Sequence, residues 1–124
     1  MKAYLLTNAA LYAVFAVWCT IGANRTATSL GYVTRNSGGQ GEYLVIYGGL
    51  QFGLAAFFWW STRNAQHLYA GLMLALALYV PIVAYRLATI LKYWPVPSLT
   101  LGVAALEVAL LAWGVLVLNQ QGAT

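Results

Sequence analysis

Charge is what this chain has least of. Asp, Glu, Lys and Arg together make up 6% of its 124 residues, against about a quarter in ordinary soluble domains, which excludes a soluble monomer. Only Glu42 and Glu107 are acidic, and the six basic residues lie scattered at segment ends. A nucleic-acid surface gathers its basic residues into a stripe, so no nucleic-acid partner is expected. A single cysteine, Cys19, rules out an intrachain disulfide or a cysteine-built metal site. A single histidine, His67, supplies neither a metal constellation nor the base of a nucleophilic triad. No metal and no cofactor are expected.

What remains is apolar: 62% of the residues are hydrophobic. They fall into four segments, at about residues 3–22, 42–60, 67–91 and 98–118, each near the ~20 residues that cross a bilayer core. One domain spanning 1–124 follows, an all-α, four-helix transmembrane bundle. The short second and third connections predict up-down-up-down topology. The third segment is the longest and should tilt, with a kink at Pro81. Pro95 and Pro97 stop it, and Ser98 is placed to cap the fourth. Lys2 before an apolar run has the look of a signal peptide. Its length and the unsuitable Gly22-Ala23-Asn24 read instead as a retained membrane helix. Trp18, Trp59, Trp60, Tyr93 and Trp94 lie near the expected interfaces, as aromatic belts do. Residues 23–41 form a long connection read as a surface loop, with Leu30–Val33 as a stretch that could lie on the membrane. Lys2 and Arg63 fall on one membrane face and Arg25, Arg35 and Lys92 on the other, so charge dictates neither orientation.

The second segment organises the rest. Gly48, Gly49 and Gly53 sit among its apolar residues, as suits a helix approached closely by neighbours. The run GGLQFG lacks the Lys-Ser/Thr of a phosphate-binding loop and lies inside an apolar span, so it is not one. Tyr43, Tyr47 and Gln51 are spaced i, i+4 and share a face, with Gly49 and Gly53 nearly opposite. That places polar groups toward the bundle centre and small ones toward a neighbouring helix.

Glu107 stands near the middle of the fourth segment. A charged residue there costs about 2.5–3.5 kcal/mol on insertion scales and usually faces a bundle interior. At ~1.5 Å per residue Glu107 lies ~13 Å deep and Arg86 ~8 Å, within reach of a long guanidinium side chain. Gln51 falls level with Glu107, Tyr47 with Arg86, and Tyr12 lies near mid-membrane. The predicted cluster is therefore Tyr12, Tyr47, Gln51, Arg86 and Glu107, with Tyr85 beside it. Two readings stand together. The cluster either fixes helix register as a neutralised network, or lines a pocket for a small lipid-soluble molecule.

Tyr47-Gly48-Gly49-Leu50-Gln51-Phe52-Gly53, then Tyr85-Arg86, then Glu107 resembles a family of small four-helix bacterial membrane proteins of unknown function. Leu44, Val45 and Ile46 stand where its members often carry an arginine. The resemblance implies a four-helix fold in a bacterial inner membrane and no particular activity.

Three functions fit. The first is a bundle whose polar pocket (Tyr12, Tyr47, Gln51, Tyr85, Arg86, Glu107) binds a lipid-soluble molecule and transforms it by isomerisation or cyclisation. Burial disfavours a charged carboxyl unless Arg86 holds it, so Glu107 is the acid/base candidate and Arg86 its charge partner. The second is a proton-coupled transporter acting as a dimer. The third is an accessory subunit of a larger membrane complex, packing through Gly49/Gly53 and Ala105/Ala109/Ala112.

Overall fold

The computed structural model describes residues 1–32 and 36–122. Val33 and Arg35, on which expectations of surface contact and charge fell, lie outside the described residues. The chain is all-helical, and four of its helical spans are long and apolar enough to cross a membrane: Lys2–Ile21, Ser37–Ser61, Ala65–Lys92 and Ser98–Gly122.

Local chemistry sets the breaks between them. Helix α1 (Lys2–Ile21) ends at Gly22, whose backbone leaves the helical region, and α2 (Ala23–Ser29) starts at once. Thr26 helps hold that corner by donating its hydroxyl to the Gly22 carbonyl at 2.9 Å. The long connection is thus partly helical, a correction to the loop expected over 23–41. Its composition, ANRTATS, is polar and short, and gives no apolar period to recognise. Gly31 turns the chain at φ +97, a conformation in which a side chain would be strained.

Helix α3 (Ser37–Leu44) is capped by the Asn36 side chain, which accepts from the Gly39 N–H at 2.8 Å. It runs without a break through a π-helical segment, Val45–Leu50, into α4 (Gln51–Ser61). The second span therefore begins five residues before the predicted 42. Asn64 caps α5 (Ala65–Lys92) by accepting from the Gln66 N–H at 3.0 Å. Pro81 lies inside α5 without ending it. Helix α6 (Ser98–Gly122) begins on Ser98 itself, so that residue is helical and not the preceding cap.

Helix α1 packs chiefly on α4, and α5 on α6. Along α1, Leu5 abuts Gly71 of α5, Tyr12 stacks on Phe58 of α4 with centroids 5.7 Å apart, and Thr20 abuts Gly48. Between α5 and α6, Leu76 abuts Gly114 and Arg86 meets Glu107. The main core is formed by Tyr4, Leu5, Ala9, Phe58, Leu72, Ala75, Tyr79, Leu110 and Val117. A smaller cluster of Cys19, Ala27 and Tyr43 lies where α2 and α3 meet α1.

The glycines that permit close approach are not the expected pair. A Cβ on Gly49 or Gly53 would meet nothing within 4 Å, so that face is open. Gly48, Gly71 and Gly114 are the tight positions. A Cβ on Gly114 would stand 2.6 Å from the Tyr4 hydroxyl and 3.0 Å from Leu76. Tyr4 cannot swing aside freely, because its hydroxyl donates to the Leu110 carbonyl at 3.1 Å. Gly114→Ala is expected to lose roughly 1–3 kcal/mol through overpacking. Gly102→Ala, where a Cβ meets open space, should stay within about 0.5 kcal/mol of wild type. Reversible unfolding in mixed micelles measures both, and equal losses would contradict the packing described.

Candidate functional site: a buried ion pair between the last two helices

Helices α5 and α6 bring Arg86 and Glu107 together. Arg86 Nη2 donates to Glu107 Oε1 at 2.7 Å, and Nε donates to Oε1 at 3.1 Å and to Oε2 at 3.4 Å. Glu107 is 9% exposed, whereas the Arg86 side chain is 34% exposed. The carboxylate is therefore the buried partner and the guanidinium its outward cover. In lipid this arrangement neutralises the one acidic group of the spans' interior and supplies its hydrogen bonds in a single contact.

The guanidinium is not fully used. Arg86 Nη1 donates to no acceptor among the described residues. With Ile82, Tyr85 and Thr89 of the same helix, Arg86 lines a shallow open groove on the outer face of α5. Tyr85 is 73% exposed and stands on this outer side. Its place in an inward cluster is corrected: one step along α5 from Arg86, it turns to the outside of the bundle.

The other predicted members divide. Tyr12 is half-buried, its ring stacked on Phe58, with its hydroxyl close to Tyr79 and within electrostatic reach of Glu107. Tyr47 is within electrostatic reach of Arg86, yet its hydroxyl pairs with that of Tyr32 at 2.8 Å and its ring stacks on Tyr43 at 4.6 Å. Gln51 turns back along its own helix, its Nε2 donating to the Ile46 carbonyl at 3.4 Å. The π-helical turn is the physical reason. One extra residue per turn shifts the i, i+4 face and frees a carbonyl for the amide to meet. His67 stacks on Trp60 at 4.3 Å, remote from the ion pair in sequence and in contacts.

Sequence reasoning missed a second polar network. Asn8 and Tyr79 are both buried, and the Tyr79 hydroxyl donates to Asn8 Oδ1. Asn8 Nδ2 in turn donates to the Tyr4 carbonyl at 2.9 Å. A third small network joins the Tyr43 hydroxyl to Thr26 Oγ1 at 2.8 Å and Cys19 Sγ at 3.5 Å. Depth counting on Asn8, applied as it was to Glu107, would have placed it inside the first span and level with part of α5.

The fold and site define an all-helical chain of four membrane-length spans with an ion pair joining the last two. No protein-family model, curated protein or solved structure matches it.

Two outcomes follow from the networks. In a double-mutant cycle, Arg86→Gln and Glu107→Gln should show a coupling of about 0.5–3 kcal/mol. Additive losses would mean that the pair does not form. Tyr79→Phe should cost about 1–3 kcal/mol by leaving buried Asn8 Oδ1 unpaired, and Tyr79→Phe with Asn8→Leu should recover part of that loss.

Proposed function

We propose that this chain is a multi-pass bundle of the bacterial inner membrane that binds a small lipid-soluble molecule at Arg86. The level pairs along the helices support up-down-up-down threading, with α1 and α5 running one way and α4 and α6 the other. The resemblance of Tyr47–Gly53, Tyr85-Arg86 and Glu107 to a bacterial membrane family supports the location.

One observation carries the binding reading. A guanidinium already neutralised by Glu107 keeps a donor, Nη1, with no acceptor among the described residues, beside a shallow open groove on the outer face of α5. That donor is offered at membrane depth, where water is not available to satisfy it. Binding is better supported than turnover by isomerisation or cyclisation. A general acid or base needs free access to the proton it moves, and the Glu107 carboxylate is covered and engaged by Arg86. Proton-coupled transport is less well supported. Tyr4, Leu5, Asn8, Ser61 and Leu72 are fully buried and fill the bundle at the Lys2 end, which suits a site open on one side.

A second reading has its own observation. Gly49 and Gly53 on one helix, and Ala105, Ala109 and Ala112 on another, face outward. Small residues on a lipid face suit close packing against another helix, as in a homodimer or an accessory subunit.

Gentle purification followed by native mass spectrometry separates these readings, with wild type run beside Arg86→Gln. The binding reading expects a small lipid-like molecule on the wild type that the variant loses. Protein free of small molecules in both samples would sink it, and a stable partner protein in both would favour the subunit reading.

A further inference from the structure

We propose that the Lys2 end of the bundle binds an anionic phospholipid by its phosphate, at the corner between α4 and α5 where Arg63 rests on Trp59. The site is separate from Arg86 and goes beyond the reading given there.

Packing sets a common level at this end. Gly71 of α5 lies against both Leu5 of α1 and Ser61 of α4. Lys2 precedes Leu5, Arg63 follows Ser61 and His67 precedes Gly71, each by no more than about one turn. All three therefore stand just past that level, on the same edge of the bundle. Both acidic side chains of the chain are elsewhere. Glu107 is held by Arg86, and Glu42 lies in α3, whose Tyr43 meets Cys19 near the other end of α1. The Lys2 end is thus basic with no acidic side chain to neutralise it, and its charge complement is an anion.

Arg63 is the group best placed to hold that anion. Its guanidinium carbon lies 5.1 Å from the centre of the Trp59 ring. Among the described residues, no acceptor engages its side-chain N–H groups. Resting on an indole leaves those donors free and narrows the range of side-chain conformations to be lost on binding. The corner beneath is fixed as well. The Thr62 hydroxyl donates to the Trp59 carbonyl at 2.7 Å, and the Arg63 backbone N–H donates to the Trp60 carbonyl at 3.0 Å. A phosphate can accept two parallel N–H bonds from one guanidinium, a fit that a single carbonyl oxygen does not offer.

The two tryptophans favour a lipid over dissolved phosphate. Trp59 and Trp60 are both exposed and lie at the end of a span of membrane length. The Trp60 ring is held by His67, stacked on it at 4.3 Å. Indoles settle at the boundary between acyl chains and headgroups, which puts Arg63, just beyond them, at the level of lipid phosphates. A dissolved phosphate would use the guanidinium alone. A phospholipid uses the guanidinium and also packs its glycerol and upper acyl carbons against the indoles.

The test titrates the full chain in micelles with dioleoylphosphatidylglycerol and with dioleoylphosphatidylcholine, reading the first lipid bound by native mass spectrometry. The wild type is expected to bind the anionic lipid roughly fivefold or more tightly. Arg63→Gln should abolish that preference, whereas Arg63→Lys should keep part of it. Lys92→Gln, at the opposite end of α5, should keep all of it. Trp59→Leu should weaken binding of both lipids. Equal binding of the two lipids by the wild type would overturn the proposal, and so would a preference that survives Arg63→Gln or is lost in Lys92→Gln. Displacement of the bound anionic lipid by inorganic phosphate would overturn the assignment to a lipid.

Discussion

A polar group inside a bilayer must find its partner within the protein, because no water is there to serve instead. Glu107 is where that constraint bears hardest, as the one acidic side chain buried within the spans. Alone it would oppose insertion of α6 by about 2.5–3.5 kcal/mol. Arg86 answers it from α5 with a contact of 2.7 Å, and α5 and α6 are thereby matched in register. The same rule explains the smaller networks. Tyr79 reaches Asn8 across α5 and α1, and Tyr4 reaches the Leu110 carbonyl across α1 and α6. Tyr43 joins α3 to the corner between α1 and α2 through Thr26 and Cys19. Between apolar helices in lipid, hydrophobic burial gives no preference for one packing over another. These few hydrogen bonds and the close approaches at Gly48, Gly71 and Gly114 do.

The satisfaction is incomplete at one place only on the line from Glu107 outward. The carboxylate is covered, the guanidinium that covers it is half-open, and its spare donor borders a shallow open groove with the exposed Tyr85. Arg86 thus holds Glu107 on one side while its Nη1 has no acceptor among the described residues on the other.

Much of this was legible in the sequence because hydropathy and length are strong signals in a membrane protein. The predicted spans 3–22, 67–91 and 98–118 differ from the helices by a few residues at their ends. Arg86 and Glu107 were found by counting depth at a fixed rise per residue, which works because a bilayer imposes a common coordinate on every helix. The count did not foresee the hydrogen-bond partners of Gln51 and Tyr47, Ile46 and Tyr32, beside a segment, Val45–Leu50, that is π-helical. Tyr85 was misplaced for a different reason. Depth gives the level of a side chain but not its azimuth, and Tyr85 at the right level points away from the bundle. Asn8 was overlooked as an ordinary polar residue near a helix start, although it is fully buried. Gly49 and Gly53 were assigned to a helix contact by spacing alone, while the contact itself is made by Gly48 against Thr20.

The central claim is that Arg86 holds Glu107 while remaining open to lipid. Solid-state NMR of the arginine-labelled chain in bilayers tests it most directly, through the Arg86 Nε and Nη signals. The account predicts a close contact from Arg86 nitrogen to the Glu107 carboxyl carbon, together with strong relaxation of the Arg86 signals by spin-labelled lipid and little by a water-soluble relaxation agent. Loss of the Glu107 contact, or relaxation dominated by the water-soluble agent, would contradict it.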